Sequence, residues 1–388
     1  MKSDFRFVNE LIRIVNGALR LDLDRVRNYT AFLAEKLEEA GDTASAGRLR
    51  KLLEETNHEL RPANIAAVRT LPVDPESRFP IVERINLRAI SEPPPIISEQ
   101  QSAILREFLS IAKSHAQLEA EGIASSANLL LFGPPGCGKS HLARHIAREL
   151  GLELYIARLD GLISSFLGST SKNIRSLFDF AAKNPCVLFL DEFDAIAKLR
   201  GDTQELGELK RVVNSFIQNL DTIGGQSIIL AATNHQELLD AAIWRRFTYR
   251  IELSYPTPLM RSQMWHAFLK NIKFSDREIE LLVDLSEGFS GSDINETCLR
   301  LHRKLITSME QPTIHDAFFS LLNITAGAGE DGRFLTKLQN EDAQGIAHAL
   351  RDRNSSLYSH ASLGDLLNVS KATAYRWACN KQGIEDHA

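Results

Sequence analysis

The sequence predicts an α/β fold, a parallel five-stranded sheet between helices, and three observations carry that expectation. Five short apolar runs alternate with stretches of helical periodicity: Asn128–Phe132, Leu152–Leu159, Cys186–Leu190, Ser227–Ala231 and Thr248–Leu253. A glycine-rich segment, Gly133-Pro134-Pro135-Gly136-Cys137-Gly138-Lys139-Ser140, directly follows the first run. Two acids, Asp191 and Glu192, directly follow the third. Strands this apolar belong in a sheet covered on both faces.

The chain has 388 residues, more than one ordinary domain holds. With 44% hydrophobic and 24% charged residues it has a globular composition, which excludes a disordered or collagen-like chain. No apolar run approaches the ~18 residues that span a bilayer, so no membrane partner is expected. The opening MKSDFRFVNE lacks a basic-then-apolar leader profile, and a cytoplasmic location is expected. The net charge of −5 exerts no general pull on nucleic acid. Four widely spaced cysteines, Cys137, Cys186, Cys298 and Cys379, read as reduced thiols rather than a zinc site.

Residues 1–60 carry helical spacing and read as a three-helix docking module, with Asp24 and Thr43 as candidate caps. Ten Lys/Arg against eleven Asp/Glu make this no basic arm. Residues 61–98, with prolines at 62, 72, 75, 80 and 93–95, read as a stiff linker holding one short strand around Ile81–Leu87. Residues 99–256 hold the α/β pattern, 257–325 a small helical lid, and 333–388 a helical C-terminal segment.

Gly133–Ser140 fits G-x-x-x-x-G-K-[ST], the phosphate-cradling pattern. Its glycines let successive backbone N–H groups turn toward phosphates, and the helix that starts near Lys139 adds its positive end. Lys139 brings charge to the β- and γ-phosphates and Ser140 a hydroxyl for Mg²⁺. Asp191 is expected to hold the Mg²⁺ through water, and Glu192 to polarise the attacking water as general base. ATP and Mg²⁺ are thus the expected cofactors. Asn234, closing the fourth run, is placed to orient the lytic water or to touch the γ-phosphate.

From about Glu99 to Ile324 these motifs resemble AAA+ ATPases, most closely the spastin and katanin branch. Gly133–Ser140 is similar to Walker A, Leu188–Asp194 to Walker B and Ile229–Asn234 to sensor 1. Leu239–Phe247 resembles that branch's second homology region, which implies that Arg245 and Arg246 act in trans on a neighbouring subunit's γ-phosphate. A ring of copies, most naturally a hexamer, is therefore expected. Gly288–Ile294 is similar to the start of the sensor 2 helix. Ser164–Thr170 resembles pore loop 1 of protein-translocating rings, with Phe166, Leu167 and Gly168 as its aromatic, hydrophobic and glycine positions. Ser165 stands where many remodellers carry lysine.

Residues 361–380 read as a helix-turn-helix, with Val369 in the turn, Ser370 capping the second helix, and Lys371, Thr373, Tyr375 and Arg376 outward. Glu330–Ala388 holds seven Lys/Arg against eight acids, a poor electrostatic footprint for a DNA reader. Three functions stay open. One is a remodeller or unfoldase pulling polypeptide through a ring, recruited to a substrate or adaptor by its N-terminal helices. Another is a nucleotide switch acting on DNA or a DNA-bound complex. In the third the chain resembles bacterial ATPases paired with a separate subtilisin-like protease.

Overall fold

The computed structural model describes residues 23–40, 42–43, 45–51, 71–74, 80–90, 92–123, 128–159, 167–195, 216, 218–220, 227–239, 241–325 and 334–379. Two compact units make up the chain, Met1–Leu71 and Pro72–Ala388. In the first, α1 (Leu23–Glu39) buries Leu33 and Ala34. Arg50, in the next helical stretch, pairs with Glu38. The cap of that stretch is Asp42, whose carboxylate accepts from the Ser45 N–H at 3.0 Å, one residue ahead of the expected Thr43. Asp24 lies inside the first turn of α1 rather than capping it. The rest of the expected three-helix module lies outside the described residues.

The second unit begins with β1 (Glu83–Ile85), α2 (Glu99–Lys113), α3 (His115–Ala120), β2 (Asn128–Phe132), α4 (Lys139–Leu150) and β3 (Glu153–Arg158). It continues through α5 (Leu167–Lys183), β4 (Cys186–Asp191), β5 (Ile228–Thr233), α6 (Ala241–Trp244) and β6 (Tyr249–Glu252). The sheet order is β1-β3-β4-β5-β2-β6. Strands β2 to β6 are parallel, as expected, but β1 makes the sheet six-stranded by pairing antiparallel with β3, Arg84 opposite Tyr155. A Val73–Pro80 bridge and an Ile81 N–H to Pro72 carbonyl bond at 2.9 Å turn the linker back upon itself ahead of β1. This is the short strand expected around Ile81–Leu87, but three residues with two exposed side chains give no sign in the sequence that it joins the sheet edge.

The sheet interior is apolar, with Leu129–Leu131, Val187–Leu190 and Ile229–Ala231 fully buried. Helices α2 and α4 pack on it through Leu105, Phe108, Leu142 and Ile146. A capping box at Ser98 and Gln101 starts α2, and Gly151 in the left-handed region ends α4.

Four helices follow, α7 (Pro258–Leu269), α8 (Asp276–Leu285), α9 (Gly291–Ser308) and α10 (Ile314–Thr325). After them come α11 (Phe334–Leu338), α12 (Ala343–Arg353), α13 (His360–Leu367) and α14 (Lys371–Cys379). All eight share one hydrophobic core, in which Trp265, Phe289 and Phe318 meet Tyr358, Leu363 and Ala374. Polar bonds cross the same junction. Arg353 donates to Asp284 at 2.7 and 3.2 Å and pairs with Glu287, while the Tyr358 hydroxyl donates to Asp284 at 2.6 Å. The α13–α14 turn passes through Asn368 in the left-handed region, and Ser370 accepts from the Thr373 N–H at 3.1 Å. Gly364 is required here, because a Cβ would lie 2.8 Å from the Val369 carbonyl. Among the described residues no helix is long and apolar enough to cross a membrane.

Candidate functional site

Three adjacent strands, β4, β5 and β2, end at one edge of the sheet, and the motif residues follow them. Register sets Phe132 beside Thr233 and Leu190 beside Ala231, so the glycine-rich loop, Asp191–Glu192 and Asn234 leave the sheet side by side. That carboxyl edge is where open α/β sheets take ligands.

The loop is held by close approach. Gly133 has φ 134°, and a Cβ there would clash with the Leu253 carbonyl; the Leu253 N–H donates to Phe132 at 2.8 Å. Gly138, at φ 96°, precedes the first turn of α4, which holds Lys139 and Ser140. Lys139 is 8% exposed, and its ammonium donates to the Gly133 and Pro134 carbonyls at 2.7 and 2.8 Å. Burial pulls the Lys139 pKa below its ordinary value, against the opposing pull of the Cys137, Asp191 and Asp194 sites. A buried cation, a helix start and a cradle of glycines fit a phosphate chain. Burial also raises the Cys137 thiol pKa, so this loop cysteine stays protonated.

Asp191 accepts from the Glu192 N–H at 3.0 Å, and Glu192, at φ 54°, stands exposed at the strand end. The Phe193 N–H donates to the Ala232 carbonyl at 2.8 Å, and the Thr233 hydroxyl donates to buried Asp194 at 3.1 Å. These bonds lock the ends of β4 and β5 together, so the acids and Asn234 share a rigid base. Asn234 is exposed.

Arg245 and Arg246 follow α6 and are exposed. The Arg246 carbonyl accepts from the Asn128 side chain at 3.5 Å, which puts it at the start of β2. The glycine-rich loop lies beyond the other end of that strand, about 16 Å away for five residues. The structure therefore groups Gly133–Ser140, Asp191, Glu192 and Asn234, and sets Arg245 and Arg246 at the opposite edge. Leu167 and Gly168 lie in the first turn of α5, and Phe166 lies outside the described residues.

Sequence reasoning missed the walls of the site. A cavity of about 330 Å³ opens beside Gly136–Gly138, lined by Pro93–Ile97 and by Met264, Phe268, Leu299 and His302 of the helical lid. Its size suits a nucleobase with its sugar. The lid touches the loop directly, as the Ser292 N–H donates to the Gly136 carbonyl at 3.1 Å. A Cβ on Gly136 would lie 2.5 Å from the Ser290 hydroxyl oxygen. Cys298, also on the cavity, has its thiol pushed up to about 12 by burial. The signal was present in the proline run, but stiffness alone does not say what a segment lies against.

Comparison with known proteins agrees with this geometry. The ATPase family associated with various cellular activities (AAA) matches residues 129–255. An uncharacterized AAA family ATPase, y4kL of Sinorhizobium fredii, is 35% identical over 278 residues, 71% of this chain and 82% of its own. The ATP-dependent zinc metalloprotease FtsH 2 of Bdellovibrio bacteriovorus is 32% identical over 252 residues, and the match spans 62% of this chain but 40% of that protein. Among solved structures, the FIGL-1 AAA domain aligns at 25% identity and a TM-score of 0.50, covering 62% of this chain and 85% of that one. With the phosphate loop, the acids at the neighbouring strand end and these matches together, the chain belongs to the AAA family of ATPases.

Proposed function

We propose that the chain is a protein remodeller of the unfoldase type, working as a ring of copies that hydrolyses ATP at shared sites. One observation carries the assembly: Arg245 and Arg246 stand at the sheet edge opposite their own phosphate loop. Phosphoryl transfer needs cations around the γ-phosphate, and arginines so placed serve a loop on another copy. In this reading Lys139 and the N–H groups of residues 136–140 hold the phosphates, Ser140 and Asp191 (through water) hold Mg²⁺, Glu192 is the base and Asn234 orients the water. When bound, Mg²⁺ would neutralise charge developing on the phosphate oxygens. Phe166, Leu167 and Gly168 would grip an extended polypeptide in the pore, and the N-terminal helices would recruit it or an adaptor.

The test is steady-state ATP hydrolysis per subunit across a wide protein concentration range, with Glu192→Gln and Arg245→Ala alongside. Specific activity rising with concentration, loss in both variants, and partial recovery when the two are mixed support shared sites. Flat activity that survives Arg245→Ala overturns them.

A second reading, a nucleotide switch on DNA, is favoured by α14. That helix carries Lys371 and Arg376 and no acid, with Tyr375 55% exposed, although the segment as a whole is slightly acidic. Absence of a mobility shift with a 20–30 bp duplex at tens of micromolar protein and moderate salt removes it.

A further inference from the structure

The stretch Glu92–Ile97 forms one wall of the cavity beside the phosphate loop, and it cannot hold itself in place. Three of its six residues are Pro93, Pro94 and Pro95, which have no backbone N–H to give to a neighbour. Its anchors come from α4. The Arg144 Nε donates to both Glu92 carboxylate oxygens at 3.1 and 3.0 Å, and its Nη2 adds a bond at 2.8 Å. The Arg148 Nη2 donates to Glu92 at 3.4 Å and to the Ile90 carbonyl at 3.0 Å. The His141 Nε2 lies 2.9 Å from the Pro93 carbonyl, as its donor. All four side chains are about three-quarters buried.

His141, Arg144 and Arg148 recur at helical spacing, so they share one face of α4. The same helix begins with Lys139 in the phosphate loop. One rigid element therefore grips the polyproline wall along its flank and carries the phosphate-binding residues at its tip.

We propose that Glu92 is a positioning residue for nucleotide binding: clamped by Arg144 and Arg148, it fixes the Pro93–Pro95 strap against the base and sugar side of the cavity. This rests on the nucleotide reading of the site. The clamp sets affinity and not chemistry, because Asp191 and Glu192 stand at the end of β4, and among the described residues no hydrogen bond joins them to Glu92, Arg144 or Arg148. An Arg–carboxylate fork has a fixed geometry, so Lys in place of Arg144 keeps the charge but not the hold.

The experiment uses the full chain and N-methylanthraniloyl-ADP, followed by fluorescence anisotropy, with KM and kcat for ATP measured beside it. The variants are Glu92→Gln, Arg144→Lys, the two combined, and Lys139→Ala, each checked by thermal unfolding. The expected result is probe binding and KM weakened about tenfold in either single variant, with kcat at saturating ATP within about twofold of wild type. The combined variant is expected to be no weaker than about the worse single one, because both remove the same interaction. If Glu92→Gln does not fold, Arg144→Lys, which leaves the cation in place, decides. Unchanged affinity in a folded variant, or a fall in kcat at unchanged KM, overturns the proposal. A wild-type chain that binds no probe, or binding that survives Lys139→Ala, overturns the nucleotide reading instead.

Discussion

Glu192 projects from the end of β4 at φ 54°, in the left-handed region that a side-chain-bearing residue seldom adopts. Asp191 directly before it takes its N–H, and Phe193 directly after it is tied to β5. These bonds hold it in that conformation, and strain of this kind collects at functional positions. Glu192→Gln preserves shape and removes the proposed base. Hydrolysis is expected to fall at least about a hundredfold, while N-methylanthraniloyl-ADP still binds; loss of both in a folded variant would assign Glu192 to nucleotide binding. Glu92 makes a second prediction at this scale. Burial raises its pKa, but hydrogen bonds from Arg144 and the charges of Arg144, His141 and Arg148 outweigh that and leave it below the ordinary 4.5. A depressed carboxyl contributes stability above its unfolded pKa and loses it as pH falls through the folded one. The melting-temperature gap between wild type and Glu92→Gln, roughly 3 °C near neutrality, is thus expected to close as pH drops below about 4.5. A gap that does not shrink as pH falls below 4.5 excludes the carboxylate's charge as its origin.

At the scale of elements, the helical lid and the C-terminal helices act as one body because α8 and α12 share the Asp284 carboxylate. Arg353 and the hydroxyl of fully buried Tyr358 both donate to it. Hydrogen bonds to Asp284 raise the Arg353 pKa, and burial followed by the same carboxylate raises that of Tyr358. Asp284→Ala leaves the Tyr358 hydroxyl without its acceptor and Arg353 with Glu287 as its remaining carboxylate, an expected cost of about 2 kcal/mol. Tyr358→Phe removes only the hydroxyl and is expected to cost about 1 kcal/mol. Chemical denaturation of the two variants beside wild type checks the order. Equal costs would mean that the packing of Tyr358, and not Asp284, secures the junction.

For the whole molecule, α9 seats directly on the phosphate loop. Ser292 donates to Gly136, and Gly136 has no room for a side chain. Since α13 and α14 belong to the lid core, any movement of the lid carries the exposed Lys371, Tyr375 and Arg376 with it. In a ring with its pore lined by Phe166, Phe166→Ala is expected to leave basal ATP hydrolysis within about twofold and to abolish unfolding of a protein substrate, scored by loss of a folded reporter's fluorescence. Parallel loss of both activities would give the residue a role in the fold.

Much of this architecture was legible in the chain. The five parallel strands lie where the apolar runs place them, because each is short, continuous and bounded by polar turns. The phosphate loop was equally plain: a glycine whose Cβ has no room beside Leu253, and a lysine that must sit at a helix start, leave little freedom of sequence. Local chemistry determined these features, so local reading recovered them. The antiparallel pairing of β1 with β3, the strap at Glu92–Ile97, the Thr233–Asp194 brace and the single core of lid and C-terminal helices were not recoverable that way. Glu92 lies 52 residues from Arg144, and Asp284 lies 69 from Arg353. Only the tertiary structure decided them, since a charged side chain or a proline in a linker shows nothing of its partner until the fold brings the two within hydrogen-bond reach.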